Sequence, residues 1–331
     1  MVMHPAISFL QHYALVPLAE RGLAAMGVNS RYAGNDTFLF MEKLPLDLAA
    51  AVGHLRKQHE HVVLLGNSGG GALAAFYQSQ AEAPSIRATP TGERADLVAA
   101  ALQPADALVL LNAHKGRAEI LTAWLDPAVR DERELLISDP ALDMFDPANG
   151  PPYDTAFLAR YRAAQRERNR RITSWAKARL TELRDRGVRD ETFTVHRTTA
   201  DPRFLDLALD PSDREPGMYY GPDVRAANYA AQGLARTCSL RSWISQWSLD
   251  DTRASAADSL RGLQAPVLFV QGTADQGIFN SDVRELSAAA GAPDEDVVWI
   301  RGGTHYFIGQ PEQLDAAMDA IAGWLERRGL A

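Results

Sequence analysis

Several short stretches of the chain are apolar at every position, without the polar alternation of a half-exposed strand. They cover residues 62–65, 107–111, 267–270 and 297–300. Residues that are apolar toward both sides predict strands of a parallel sheet that is covered by helices on both faces. Gly66 ends the first of these strands, and a helix is predicted to begin almost immediately after it.

Apolar residues at three- and four-residue spacing predict helices between the strands. One covers residues 16–26 and is stopped by Gly27, a second covers 46–55, and the last begins at Pro311. Short strands are predicted at residues 2–3 and 28–32. Strands that alternate with helices predict an α/β fold with a doubly wound, mostly parallel sheet, which binds ligands at the carboxyl ends of its strands.

The alternation of strands and helices breaks in the middle third of the chain. This part contains Pro-rich turns, an Arg-rich helix over residues 160–184 and most of the tryptophans. We expect a core domain formed by residues 1–112 and 263–331, with a large, mainly helical cap or lid insertion at 113–262 that covers the sheet edge.

Charge and cysteine content narrow the classes of partner. The 331 residues include 42 acidic and 34 basic side chains, a formal charge of −8, which would repel nucleic acid and gives no attraction to an anionic membrane. Cys238 is the sole cysteine, so no intrachain disulfide can form. With neither a spanning apolar stretch nor a signal-like N-terminus, we expect a cytoplasmic protein, provided that Met1 is the true start.

The segment Gly66-Asn67-Ser68-Gly69-Gly70 fits the pattern G-x-S-x-G and lies between a buried strand and a helix. The chain must reverse sharply there, which requires neighbours without colliding side chains. Such a turn lifts the Ser68 hydroxyl clear of the sheet, and the amides that follow face a bound carbonyl oxygen. We therefore expect Ser68 to be a nucleophile and the Gly69 N–H to be the first oxyanion donor.

Two alternatives are a turn that merely packs tightly and a phosphate cradle. Ser68 stands where a dinucleotide-binding fingerprint has its second glycine. Ala72-Leu73 stand where a phosphate-binding loop requires Lys-Ser/Thr. Both departures favour the nucleophile.

A serine nucleophile needs a base, and the base needs an orienting carboxylate. The strand at 267–270 runs into a turn with Asp275, and the strand at 297–300 runs into a Gly-rich loop with His305. We expect Asp275 to orient His305, and His305 to act as the base. The simpler alternatives are a turn-capping aspartate and a structural loop histidine.

With these residues the chain resembles the α/β-hydrolase superfamily, in particular its serine esterase and lipase-like members with an inserted cap. The order Ser68, Asp275, His305 is the order of that superfamily, each residue after its own strand. The resemblance covers roughly residues 2–112 and 263–328, and it implies an acyl-enzyme mechanism that needs no cofactor and no metal.

The chain departs from the superfamily pattern near its start. The second oxyanion donor of the family often follows a His-Gly pair, whereas His4-Pro5-Ala6-Ile7 stands here. Pro5 has no N–H, so the backbone of Ala6 or Ile7 is expected to donate. The sheet also begins without the family's first strands. Of a late-assigned start and a trimmed sheet edge, we favour the late start.

Further residues are candidates for substrate binding, each against a structural alternative. His114 follows a strand, and it is expected either to line the substrate pocket or to have a structural role. The aromatic pairs Tyr219-Tyr220 and Trp243 with Trp247 line an apolar chamber or fill the core of the insertion. His54, His59 and His61 match no metal-ligand spacing. The substrate-binding candidates are His4, Asn67, His114, Tyr219, Trp243 and Trp247.

The sequence therefore predicts a serine hydrolase that cleaves a carboxylic ester of a small to medium apolar molecule. Thioesterase, amidase, lactonase, carbon–carbon hydrolase and acyltransferase activities use the same residues, so they stay open. A non-catalytic ligand-binding protein of the same fold is the alternative from another class. The oligomeric state is open, with a homodimer as one expectation.

Overall fold

The computed structural model describes residues 1–219 and 221–331, which form two compact units. Unit 1 comprises Met1–Arg117, Ser212–Arg214 and Arg253–Ala331, and unit 2 comprises Ala118–Pro211 and Glu215–Thr252. Each unit has its own core and is described by itself.

The described residues form strands in both units. The strands are β1 (Val2–His4), β2 (Gly27–Asn29), β3 (Val63–Asn67), β4 (Ala107–Leu111), β5 (Thr192–Thr194), β6 (Thr237–Ser239), β7 (Val267–Gly272) and β8 (Glu295–Ile300). In unit 1 the sheet order is β2-β1-β3-β4-β7-β8, and every neighbouring pair is parallel. In unit 2, β5 and β6 form an antiparallel pair. The predicted parallel α/β sheet is confirmed.

Helices follow the strands and fill the connection between β4 and β7. They are α1 (Leu15–Glu20), α2 (Leu44–Leu55), α3 (Gly69–Glu82), α4 (Leu97–Ala100), α5 (Arg117–Trp124), α6 (Thr155–Asp185), α7 (Val224–Tyr229), α8 (Leu240–Gln246), α9 (Ala256–Leu260), α10 (Asn280–Ala289) and α11 (Pro311–Glu326).

The first helix is shorter than the sequence predicts. Apolar spacing predicted a helix over 16–26, but α1 ends at Glu20. Gly22 adopts a φ of +85°, and the amide of Leu23 donates to the Leu18 carbonyl at 3.2 Å. This is the usual closure of a helix by a left-handed glycine, and it frees the chain to enter β2 at Gly27.

The core of unit 1 fixes the strands that carry the candidate site. Leu65, Val109 and Leu268 lie side by side in the sheet and belong to one buried cluster with Ile321 and Trp324 of α11. Residues that alternate with them point to the opposite face, where α3 packs against β1, β3 and β4. Burial of the central strands β3, β4 and β7 on both faces holds their carboxyl ends in a fixed arrangement.

The core of unit 2 is built around the long helix α6, which packs against α8. Its apolar cluster includes Ile172 and Ala176 of α6 together with Trp243. Arg197 and Asp126 form an ion pair at 2.7 Å, and both side chains are fully buried. Unit 2 therefore has a self-contained interior.

Candidate active site

Ser68 occupies a sharp turn between β3 and α3. Its backbone has φ 54° and ψ −121°, a conformation that non-glycine residues rarely adopt. The Ser68 amide donates to the carbonyls of Leu111 and Asn112, at 3.2 Å each, and its carbonyl accepts from the Gly71 amide at 3.1 Å. Backbone strain of this kind persists only where neighbours enforce it, and it concentrates at functional sites.

The glycines around Ser68 are required by close backbone packing. A β-carbon on Gly66 would lie 2.4 Å from the Gly71 Cα, and one on Gly70 would lie 2.4 Å from the Met3 carbonyl oxygen. One on Gly71 would lie 2.3 Å from the Ala113 Cβ. Helix α3 therefore starts directly against β1 and β3, as the motif predicted.

We expect Gly66→Ala to destabilise the protein by about 1–3 kcal/mol, because the added methyl group collides with backbone atoms. Gly53→Ala is the matched control, since Gly53 lies in α2 and has no atom within 4 Å of an added β-carbon. That replacement should stabilise the helix by roughly 0.5–1 kcal/mol. Urea unfolding of both variants measures the difference. Equal stability of the two variants would contradict the packing described for the turn.

Asp275 and His305 form a buried pair at the ends of β7 and β8. His305 Nδ1 lies 2.6 Å from Asp275 Oδ2, and the side chains are essentially inaccessible. Asp275 Oδ1 accepts from the amides of Gly277 at 2.8 Å and Ile278 at 2.9 Å. A carboxylate fixed in this way holds the imidazole proton on Nδ1 and leaves Nε2 to accept a proton.

Asn112 connects this pair to the serine turn. Its side-chain amide donates to the His305 carbonyl at 3.0 Å, and its Oδ1 accepts from the Gly272 amide at 2.8 Å. Its own carbonyl accepts from the Ser68 amide. Asn112 has a φ of +45°, which asparagine tolerates better than most residues. Hydrogen bonds of Asn112 thus connect the residues at the carboxyl ends of β3, β4, β7 and β8.

This role of Asn112 was not predicted from the sequence. The available signal was an asparagine at the end of a fully apolar strand, next to the expected nucleophile strand. A polar side chain at that position can bind the backbone of neighbouring strand ends.

The loop after β1 differs from its expected role. The amides of Ala6 and Ile7 donate to His4 Nδ1, at 3.1 Å and 2.9 Å. The two amides that were expected to donate to an oxyanion therefore donate to the imidazole of His4 in this structure.

Asn67 is also placed differently from the expectation of substrate contact. It is completely buried, its side-chain amide donates to the Leu111 carbonyl at 3.0 Å, and its Oδ1 lies 3.2 Å from His12 Nε2. Both polar groups of Asn67 thus form hydrogen bonds within the protein interior next to the serine turn.

His114 lies directly after β4 and is buried. Its Nδ1 accepts from the Gly116 amide at 3.1 Å, and its own amide is 3.4 Å from the Ser68 carbonyl. Burial, reinforced by the charge of Arg117, lowers the pKa of His114 to about 3. His114 is therefore uncharged at neutral pH and borders the serine turn, so it remains a candidate for substrate contact.

The pKa values of His4 and His12 are lowered as well. Burial lowers the pKa of His12 to about 4 and that of His4 well below its ordinary value, with a further contribution from Arg117. His4, His12 and His114 are therefore uncharged at neutral pH.

We expect the free energy of unfolding to fall as the pH is lowered from about 6.5 toward 4. In this window the histidines of the unfolded chain bind protons, while the folded His12 resists protonation down to a pKa of about 4. Between pH 7 and pH 5 this one group contributes about 2 kcal/mol of the loss. His4 and His114 act in the same direction.

Urea unfolding of the protein and of the His12→Gln variant at pH 7 and pH 5 measures the contribution of His12 to this loss of stability. The variant should lose less stability on acidification than the unaltered protein. An identical loss in both proteins would show that His12 is not held neutral.

The aromatic candidates lie in unit 2. Trp243 and Trp247 are fully buried and belong to its apolar cluster, and Trp243 Nε1 donates to Thr173 at 2.9 Å. The structure thus places both in the interior, the alternative raised by their sequence. Tyr219 is half-buried, with its ring 6.1 Å from that of Trp124. Tyr220 lies outside the described residues.

Two further features, membrane-spanning helices and metal-binding clusters, can be assessed for residues 1–219 and 221–331. No helix in these ranges is long and apolar enough to cross a membrane. No group of three or more His, Cys, Asp or Glu side chains in them is arranged to hold a metal ion.

Comparison with known proteins identifies the fold. No family model matches the sequence. No curated protein matches it either. Among solved structures, the α/β hydrolase GrgF from Penicillium sp. sh18 is similar over 98% of this chain and 88% of its own, with 11% identity and a TM-score of 0.52. DcsB, solved with its substrate analogue, is similar over 98% and 89%, with 14% identity and a TM-score of 0.51.

These similarities establish the fold alone. The chain has the α/β-hydrolase fold, as the order of Ser68, Asp275 and His305 predicted.

Proposed function

We propose that the protein is a serine hydrolase that cleaves a carboxylic ester of a small to medium, apolar molecule. The observation that carries this proposal is the buried Asp275–His305 pair, connected through Asn112 to the strained serine turn. Orienting carboxylate, base and nucleophile thus follow β7, β8 and β3, at one edge of one sheet.

The reaction begins when Ser68 Oγ attacks the ester carbonyl and His305 Nε2 takes its proton. Asp275 keeps the imidazole in the required tautomer and stabilises the charge it gains. His305 then gives the proton to the leaving alcohol, and an acyl group remains on Ser68. Water, activated by His305, releases the acid by the same route.

The amide of Gly69 is the first N–H of α3 and supports the negative oxygen of the intermediate. Helix α3 spans Gly69–Glu82, so its positive end adds to this stabilisation.

Unit 2 is proposed as the cap insertion. Its two segments, Ala118–Pro211 and Glu215–Thr252, both lie between β4 and β7 in the chain, which is where a cap is expected from the resemblance to capped esterases. The apolar substrate was inferred from aromatic pairs in this insertion. With Trp243 and Trp247 in its interior, Tyr219 is the aromatic candidate that still supports that inference.

Turnover of a substrate panel tests the proposal. The purified protein should hydrolyse p-nitrophenyl acetate and butyrate with saturation kinetics, and prior treatment with a fluorophosphonate should abolish the activity. Matched thioester and anilide substrates in the same panel compare the other acyl-transfer reactions. Failure to hydrolyse any ester above the buffer rate would contradict the proposed function.

A further inference from the structure

The imidazole rings of two histidines, His4 and His114, lie beside Gly69. A β-carbon on Gly69 would lie 2.7 Å from His4 Nε2 and 3.1 Å from His114 Nε2. His4 is the last residue of β1 and His114 follows β4, and their exposed fractions are only 6% and 8%. Two ring nitrogens therefore meet next to the residue that follows Ser68.

Hydrogen bonds fix the tautomer of both rings. The Nδ1 atom of His4 accepts from the amides of Ala6 and Ile7, and that of His114 accepts from the Gly116 amide. A neutral imidazole carries one N–H, so an accepting Nδ1 places the proton on Nε2. The lowered pKa values of both histidines keep the rings neutral. Both Nε2 atoms are therefore donors.

The Nε2–H groups of both histidines and the Gly69 amide are available to donate to a ligand oxygen. Within the part of the chain that the structure describes, no group accepts from His4 Nε2–H, from His114 Nε2–H or from the Gly69 amide. A hydrogen bond from these donors to a ligand oxygen beside Gly69 would be strongest if that oxygen carried negative charge.

We propose that His4 and His114 donate through Nε2–H to the substrate carbonyl oxygen as it becomes an oxyanion, together with the Gly69 amide. This inference rests on the proposed function, because the oxyanion forms only when Ser68 attacks. It also accounts for the loop after β1: the amides of Ala6 and Ile7 position the His4 ring, and the ring takes the place that a loop amide was expected to fill.

The step balances without another reactant. Ser68 Oγ forms a bond to the carbonyl carbon, the π electrons of the carbonyl move onto its oxygen, and the Ser68 proton passes to His305. The imidazole pair donates hydrogen bonds and transfers no proton. When the intermediate collapses, the electrons return to the carbonyl and the bond to the leaving alcohol breaks. Donors aimed at a developing charge lower the barrier of such a step.

Two replacements of each histidine distinguish the role of its Nδ1 acceptor from that of its Nε2–H donor. Asparagine offers an oxygen near the Nδ1 position, which can still accept from the loop amides, but has no donor at the Nε2 position. Glutamine reaches the Nε2 position with an amide N–H. His4→Asn should therefore lower kcat by about 10²-fold with KM nearly unchanged, and His4→Gln should retain kcat within about tenfold. The pair His114→Asn and His114→Gln should show the same ordering.

The affinity for a trifluoromethyl ketone would stay unchanged in these variants if the histidines had only a structural role. This probe adds to Ser68 and places an oxyanion in the site, so its inhibition constant should rise in the asparagine variants in parallel with the loss of kcat. Thermal unfolding identifies variants that fail to fold. If His4→Asn fails to fold, the two His114 variants carry the comparison.

The outcomes distinguish this inference from the proposed function. Asparagine variants that fold and keep both kcat and ketone affinity would overturn the imidazole donors while leaving the serine hydrolase intact. A wild-type protein that hydrolyses no ester and does not bind the ketone would overturn the proposed function itself.

Discussion

Ser68→Ala should reduce kcat for ester hydrolysis by roughly 10⁴-fold or more. The replacement removes the atom that forms the acyl-enzyme, so only binding and the oxyanion donors remain to assist a water molecule. Stopped assays with a p-nitrophenyl ester measure the rate above buffer background, and thermal unfolding verifies the fold. Because Ser68 is half-buried in a strained conformation, the alanine variant should unfold close to the wild-type temperature.

Ser79→Ala is the control for this result. Ser79 lies in the same helix, and its hydroxyl donates to the Phe76 carbonyl of that helix at 2.9 Å. Its loss removes a hydroxyl group without touching the serine turn, so activity should stay at the wild-type level. Comparable activity of the Ser68 and Ser79 variants would remove Ser68 from the mechanism.

Asp275→Asn should lower kcat by about 10³–10⁴-fold while leaving the structure in place. Asparagine can keep accepting from the amides of Gly277 and Ile278, but its NH₂ group would then face His305 Nδ1. That contact favours the tautomer with the proton on Nε2, and such a ring cannot accept the Ser68 proton. Steady-state kinetics should show a loss in kcat with little change in KM.

Asp319→Asn is the matched control for the aspartate. Asp319 is exposed and pairs with Arg21 at 2.7 Å, an interaction worth at most about 1 kcal/mol at a surface. Its replacement should leave the kinetics unchanged. An Asp275 variant that retained wild-type kcat would show that the carboxylate does not orient the base.

The centre of the parallel sheet could be predicted because β4 and β7 are buried on both faces. Strand β8 is partly exposed, although residues 297–300 are all apolar and predicted a fully covered strand. Residues 107–111 were predicted as a strand and form β4 with the same bounds, since a fully apolar run has no competing periodicity. The end of α1 was wrong because apolar spacing continues past Gly22, while the backbone of that glycine closes the helix. Local pattern thus identifies an element more reliably than its end.

In the candidate site, chain order predicted which residues follow the strands, but it did not predict most of their tertiary contacts. The order of Ser68, Asp275 and His305 predicted which residues follow which strands, and the structure pairs Asp275 with His305. The direction of the Ala6 and Ile7 amides could not be predicted, because it depends on which ring nitrogen of His4 faces them. The four-residue spacing of Trp243 and Trp247 indicated a shared helix face, but not whether that face is buried.

Mass spectrometry of the protein after reaction with a fluorophosphonate tests most directly whether Ser68 acts with His305 and Asp275. The account predicts one phosphonyl group per chain, mapped to the peptide that contains Ser68, and much slower labelling in Asp275→Asn. Labelling at another serine, or labelling of Ser68 at the same rate in both proteins, would contradict it.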